Sequence, residues 1–269
     1  MDTIVEGQPE ESMVNDSNSC KVTWDYTEHA SHYDKRADYS LDAIENLLKT
    51  IGCTTSTAVA DIGAGTGKLT KELLARGLKV RSIEPNEAMR TIGIQNTNGK
   101  GAIWSGGTGE ATGLRANSVY AVFFGSSFNV VDQSAALSEA CRILVPKGWF
   151  ACMWNHRDLG DPIQKRIECI IKSSIRTYSY GSRREDPTNI IDASGHFSAV
   201  QSIEGSFVWT MSHSDIVDAW KSHATLKRQA GSDSVFNNVI EEIASYLEEL
   251  PETIPVPYTT RIYFAQKIR

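Results

Sequence analysis

Residues 59–70 read V-A-D-I-G-A-G-T-G-K-L-T, and the fold turns on how this stretch is read. An apolar run, Ala58 to Ala60, ends near an acid, Asp61. Three glycines follow at alternate positions, Gly63, Gly65 and Gly67. From Lys68 to Arg76 the residues are good helix formers, with Leu69, Leu73 and Leu74 as the apolar ones. The pattern predicts a strand, a tight turn and the start of a helix. Glycine has no β-carbon and tolerates positive φ, so such a turn lets backbone approach a ligand. The helix start adds free N–H groups and the positive end of a dipole. Spacing then removes two ligand classes. The dinucleotide pattern G-x-G-x-x-G fails because Lys68 or Thr70 stands where its third glycine belongs. The nucleoside-triphosphate loop fails because Ile62 replaces its first glycine and Leu69 follows the lysine.

Outward from the loop, residues 78–84 read as a strand ending in Glu84, followed by Pro85 and a helix from Asn86 that contains Met89. An acid about 20 residues past a glycine loop, at the end of the next strand, suits two vicinal ribose hydroxyls, because a carboxylate offers two acceptor oxygens. A third strand is expected at 102–105, leading into G-G-T-G-E-A (106–111). The run V-Y-A-V-F-F within 118–126 is continuously apolar, as in strands of a parallel sheet covered on both faces. Its exit, G-S-S-F-N-V-V-D (125–132), should face the ligand, which in open α/β sheets lies beyond the carboxyl ends of the strands. Asp132 is placed to cap a helix that runs to Leu144 and stops before Pro146. Residues 149–154 form another continuous strand, from which W-N-H-R-D (154–158) should emerge beside the glycine loop. His156 is a candidate general base there, since imidazole titrates near neutral pH. Arg157 and Asp158 would equally suit a polar loop in which they pair. Upstream, residues 40–50 predict a helix capped by Ser40, with Leu41, Ile44, Leu47 and Leu48 inward.

The D-x-G-x-G-x-G loop and the E-P-N-E-A-M segment (84–89) together resemble the class I S-adenosylmethionine-dependent methyltransferases, of the small-molecule, type 11-like kind. The resemblance covers about residues 24–158 well and the final strand weakly. It implies an α/β, Rossmann-like fold: a seven-stranded, mostly parallel sheet with an antiparallel last strand, an N-terminal helical lid and a helical cap. It implies S-adenosyl-L-methionine as cofactor, with Asp61, Gly63, Ala64, Gly65 and Gly67 against its methionine and ribose. Glu84, Pro85 and Met89 would form the ribose side, Gly109 and Glu110 the adenine turn, and Ser126 would face the transferred methyl. In Y-D-K-R-A-D-Y-S (33–40), Arg36 stands where family members bind the cofactor carboxylate, with Tyr33 beside it. The same segment also suits a helix packing aromatics on the domain edge. The chain departs from the family at Tyr120, where an acid is usual, and at Asn129–Val130, which replace a His-Trp pair. Lys147 replaces a glycine of the usual P-G-G turn, and the N/D-P-P-Y/F signature of adenine and amide N-methyltransferases is absent.

The expected organisation is a disordered polar tail at 1–22 and a single domain at 23–269. Within that domain, 23–52 would be lid helices, 53–158 the cofactor core, 159–255 cap helices with strand six, and 256–269 the last strand. The chain has 269 residues, is 41% hydrophobic and 22% charged, and carries a net charge of −6, ordinary for a globular protein and against a general nucleic-acid surface. The basic pairs Lys35–Arg36 and Arg183–Arg184 read as solvated faces or anion ligands. Five scattered cysteines without a C-x-x-C or Cys/His cluster argue against structural zinc, so no metal is expected. The absence of a long apolar run leads to an expectation of a cytoplasmic protein with no membrane partner. The expected partner is a small, partly apolar methyl acceptor, a specialised metabolite or small acid, lined by Tyr26, Phe128, Asn129, Trp154 and Asn155. His156, His29 and Tyr33 are the candidate bases. A homo-oligomer stays open. So do two other functions: a non-catalytic cofactor-binding or interaction protein, and a nicotinamide-dependent oxidoreductase.

Overall fold

In the computed structural model, which describes residues 36–268, the apolar runs become the middle of a seven-stranded sheet. Its strands are β1 (Ala58–Ile62), β2 (Lys79–Ile83), β3 (Ile103–Ser105), β4 (Val119–Gly125), β5 (Leu144–Arg157), β6 (Gln201–Ser212) and β7 (Thr253–Gln266). They lie in the order β3-β2-β1-β4-β5-β7-β6. Strands β1 to β5 pair in parallel, and β7 runs antiparallel to both of its neighbours. The order reverses between β1 and β4, and that switch point opens a crevice at the carboxyl ends of the strands.

Helices cover both faces. On one side, α1 (Leu41–Thr50) and α2 (Lys68–Ala75) bury Ile44, Leu47, Leu69 and Leu73 against Val59, Phe123 and Met153. On the other side, α4 (Gln133–Ile143) packs Leu137 and Ile143 on Val122, Phe124 and Phe150. Between them in sequence, α3 (Glu87–Asn96) follows β2. Local signals start these helices. Ser40, Asn86 and Asp132 each accept a backbone N–H of the first turn through the side chain, satisfying a donor the helix leaves free. The remaining helices are α5 (Pro162–Ser174), α6 (Thr188–Ala193), α7 (His213–Lys221), α8 (Ala224–Ala230) and α9 (Asp233–Glu248). Of these, α5, α7 and α9 have a core of their own: Ile167, Ile171, Trp220, Val239 and Ile243 pack with Met211, Val256 and Tyr258 of the last two strands.

Several sequence expectations shift. Leu41, expected inward, is 50% exposed, and Ala43, two residues along, is buried instead. Pro146 does not precede β5 but lies within it, where the β4 register slips between Val119 and Ala121 and Lys147 adopts φ +60°. Strand β5 also continues past Trp154. Strand β7 supplies a partner to each residue from Trp149 to Arg157, so 155–157 are strand rather than an emerging loop. The stretch 179–189 holds a 3-10 turn at Gly181–Arg184 and the first residues of α6. Tyr120, the departure on β4, donates its hydroxyl to Ile51 O at 2.7 Å and ties the end of α1 to the sheet. The expected tail and most of the expected lid, including Tyr26, His29 and Tyr33, lie outside the described residues. Among the described residues no helix is long and apolar enough to cross a membrane, and no three His, Cys, Asp or Glu side chains cluster as a metal site.

Candidate active site

The glycine loop is held by backbone from below. Gly63 N and Ala64 N both donate to Ile83 O, at 2.8 and 3.1 Å, which fastens the loop to the end of β2. Gly63, Gly65 and Gly67 all have positive φ, at 65°, 57° and 83°, the region that favours glycine. Gly63 is constrained from a second direction, because a β-carbon there would sit 2.5 Å from Ser127 Cβ. Ser127 in turn donates its hydroxyl to Ile62 O at 2.5 Å. The exits of β1 and β4 are therefore locked together, and the close approach is to the protein itself.

Two buried carboxylates flank this loop. Glu84 accepts Gly65 N–H on Oε2 and Asn86 N–H on Oε1, both at 2.9 Å. Each oxygen keeps a further acceptor direction, which is what a pair of vicinal hydroxyls needs. Burial raises the Glu84 pKa, opposed by the N–H groups of Asn86 and Gly65 and by Arg90. Asp61 is fully buried. Its Oδ2 accepts the Thr70 hydroxyl at 2.6 Å, and among the described residues its Oδ1 is without a hydrogen-bond partner. Desolvation pushes the Asp61 pKa up to about 7; the Thr70 hydroxyl opposes this and the Glu84 charge adds to it. A buried acceptor left open in a cleft is a place for a donor from a ligand.

Residues 36–40 cross the cleft as a strap. Asn155 Nδ2 donates to the carbonyls of Ala37 and Asp38 at 3.1 and 2.9 Å, and Asn155 Oδ1 accepts the Thr260 hydroxyl at 2.6 Å. Asp38 pairs with Lys68 at 2.8 Å, and Tyr39 shares a hydrogen bond with Ser126 at 3.1 Å. Arg36 donates Nε to Ser222 Oγ at 2.9 Å and a second N–H to Ser222 O, which links the strap to the end of α7. Ser126 sits at φ +59°, strained for a side chain with a β-carbon and located at the cleft, where such strain gathers.

One cleft collects Arg36, Asp61, Gly63, Ala64, Ser126, Asn155 and His156 from the residues the sequence singled out. It adds Tyr39, Lys68, Arg157, Tyr180, Arg184, Ala219, His223 and Tyr258, most of which the sequence did not single out. In the sequence Arg184 stands out only as half of a basic pair, and Tyr180, His223 and Tyr258 reach the site by long-range packing with no local signal. Gly65, Gly67 and Glu84 do not line this cleft; the Gly65 N–H is turned to Glu84. Pro85 lies beside Glu84, and Met89 is buried with its backbone N–H on the Asn86 cap. Glu110 accepts Asp132 N–H at 2.7 Å, and Gly109 packs under Val131, so this turn braces the start of α4. Phe128 is fully buried between Phe124 and Phe150 and offers no surface to a substrate. Trp154 is 2% exposed and gives its indole N–H to Asn129 Oδ1 at 2.8 Å, so these two candidates satisfy each other. Arg157 and Asp158 do not pair: Asp158 accepts Gly160 N–H at 2.7 Å instead.

Comparison with known proteins bears on this site. Residues 60–152 match the family model described as a methyltransferase domain. An uncharacterized methyltransferase of Mycobacterium tuberculosis is 33% identical over 147 residues, 49% of this chain and 58% of that protein. An uncharacterized methyltransferase of Schizosaccharomyces pombe is 28% identical over 136 residues, 51% of this chain and 54% of that protein. The chain thus spans a little over half the length of these curated relatives. Among solved structures, a putative methyltransferase from an antibiotic biosynthesis pathway of Anabaena variabilis superposes with a TM-score of 0.54 at 16% identity, covering 86% of this chain and 98% of that one. Phosphoethanolamine N-methyltransferase 2 of Haemonchus contortus, solved in complex with S-adenosyl-L-methionine, gives 0.53 at 14% identity, covering 89% of this chain and 57% of that one. At such identities the likeness is one of fold.

Proposed function

We propose, taking as premise that the core of this chain is a class I S-adenosylmethionine-dependent methyltransferase domain, that the protein transfers the sulfonium methyl group to an O, N or C atom of a small, partly apolar molecule. The observation that carries this reading is the convergence at one switch point of an open Asp61 oxygen, a Glu84 carboxylate with free acceptor directions, and a cleft that also holds His156. The donor set fits the cofactor. Two buried carboxylates receive hydroxyl and ammonium donors, and the glycine loop presents backbone with no side chain larger than Ala64 on the cleft wall. When bound, the cofactor supplies an electrophilic methyl on a positively charged sulfur.

The chain's residues then have the following work. Glu84 and the backbone of Gly65 hold the ribose end. Asp61 accepts from the amino-acid end, and Ser126 faces the reacting side. The 36–40 strap, pinned by Asn155, Lys68 and Ser222, keeps water from the cleft and holds the donor in line with the acceptor. Alignment and water exclusion are the protein's main contributions to a displacement of this kind. His156 is 8% exposed, lies on the cleft wall, and takes the proton where the acceptor is a hydroxyl or amine.

Isothermal calorimetry with S-adenosylhomocysteine, set beside the nicotinamide dinucleotides, tests the reading. The expected result is micromolar affinity for the former and none for the latter. The reverse would make the chain an oxidoreductase. Cofactor binding with no methyl release from labelled S-adenosylmethionine on any acceptor tried would favour a non-catalytic binding protein.

A further inference from the structure

The cleft adjoins a second depression, and the two share His156, Arg157, Arg184 and Tyr258. Resting on the methyl-transfer reading, we propose that Arg157 and Arg184 form an oxyanion site that holds a carboxylate or phosphate group of the methyl acceptor.

Both guanidinium groups are fixed in place and largely unspent. The Arg157 Cζ lies 4.3 Å from the centre of a Trp220 ring, and its Nε donates to Tyr258 Oη at 3.1 Å. The Arg184 Cζ lies 4.8 Å from the Tyr180 ring centre, and one N–H donates to Arg157 O at 2.7 Å. Each arginine thus uses a single N–H to set its orientation. Among the described residues the other N–H groups of both side chains have no acceptor, and neither cation has a carboxylate partner. The acids nearby are engaged elsewhere: Glu168, whose charge reaches Arg184, pairs with Lys172 at 2.6 Å, and Asp158 accepts Gly160 N–H. Desolvation lowers the Arg184 pKa, with Arg261 and Arg157 acting in the same direction against Tyr180 and Glu168. Two cations held close together in a partly dry cleft favour an anion strongly. A planar guanidinium fork matches the paired oxygens of carboxylate or phosphate.

Position assigns this anion to the acceptor rather than to the cofactor. The glycine loop follows β1 and Glu84 follows β2. Arg157 ends β5, two strands away across the switch point, beside Tyr258 of β7. The cation next to the loop is Lys68, already paired with Asp38, and the strap brings Arg36. The outer depression, bounded by Phe207, Val208, Pro257 and Tyr258, leaves room for an apolar body attached to the anionic group.

The test has two steps. Calorimetry first measures S-adenosylhomocysteine binding to wild type, Arg184→Gln, Arg157→Gln and Arg184→Lys. Succinate, propane-1,2,3-tricarboxylate and inorganic phosphate are then titrated into each loaded protein at constant ionic strength. The expected result is cofactor-product affinity within about twofold across the set, and millimolar or tighter binding of at least one anion to wild type. That anion should bind about tenfold or more weakly in both glutamine variants, with partial retention by Arg184→Lys, the loss expected for a charge-assisted bidentate contact. Which anion binds separates carboxylate from phosphate. Arg184→Gln is the decisive variant, because Arg157 also fills space against Trp220. Anion binding that is absent from wild type, or unchanged in Arg184→Gln, overturns the proposal. So does loss of S-adenosylhomocysteine affinity in folded Arg184→Gln, which would give the arginines to the cofactor. A folded wild type that fails the first step removes the methyl-transfer premise, and this inference falls with it.

Discussion

The two ends of the cleft are built on different principles. At the β1–β2 end, backbone does most of the holding: N–H groups of Gly63, Ala64, Gly65 and Asn86 meet Ile83 O and Glu84 within one short stretch of chain. At the β5–β7 end, side chains from distant segments do it: Arg157, Arg184, Trp220 and Tyr258 span about a hundred positions and meet only because β5 pairs with β7 and α7 packs over them. A backbone site is rigid and suited to a ligand that never changes. A side-chain site is easily retuned, which suits the part of an enzyme that chooses its acceptor.

The contrast can be strained at its stiffest point first. Gly63→Ala places a methyl 2.5 Å from Ser127 Cβ at a φ of +65°. Left-handed strain and overpacking together should cost about 2–5 kcal/mol. Chemical denaturation should show that loss, and S-adenosylhomocysteine binding should vanish with it. A stable, binding-competent variant would mean the loop yields more than its contacts suggest.

Asp61 sharpens the comparison through pH. Burial lifts its folded-state pKa to about 7, above the ordinary carboxylate range, so the folded protein holds this proton more tightly than the unfolded chain. The stabilisation is complete below about pH 4 and is lost as pH climbs to 7, at up to about 1.4 kcal/mol per pH unit. The melting temperature of Asp61→Asn relative to wild type should therefore rise between pH 5 and pH 8. A difference independent of pH would show that Asp61 ionises normally. Because a cationic ligand group beside Oδ1 would favour the carboxylate, S-adenosylhomocysteine binding at pH 6.5 should also release protons, detectable in buffers of different ionisation enthalpy.

The smallest effect concerns the turn inside β5. Lys147 adopts φ +60° where the family pattern has glycine. Lys147→Gly should stabilise by about 0.5–1 kcal/mol in urea denaturation, with no change in ligand binding. A loss of stability would mean that the lysine side chain offsets its backbone strain.

Legibility in the sequence follows the same division. Periodicity and caps gave α1 and α4 within a residue or two, because Ser40 and Asp132 act on their own next turn. The glycine loop and Glu84 were legible because both lie close in sequence and obey a spacing rule. The short helices α6 and α8 were not: six and seven residues are too few to show a period. The length of β5 beyond Trp154 depended on a partner strand about a hundred residues downstream. Phe128, read as facing a substrate because it follows a strand end, turns inward, since the chain bends at Ser126 and buries the ring on Phe150. Trp154 and Asn129, each plausible alone, bind one another, a pairing that spacing along the chain does not reveal.

The most direct measurement is S-adenosylhomocysteine affinity, by calorimetry, for wild type, Glu84→Ala and Arg184→Gln together. The account predicts micromolar binding to wild type, a loss of tenfold or more in Glu84→Ala from the missing charge-assisted acceptor, and a value within about twofold of wild type for Arg184→Gln. Failure of the folded wild type to bind, or equal weakening in the two variants, would contradict it.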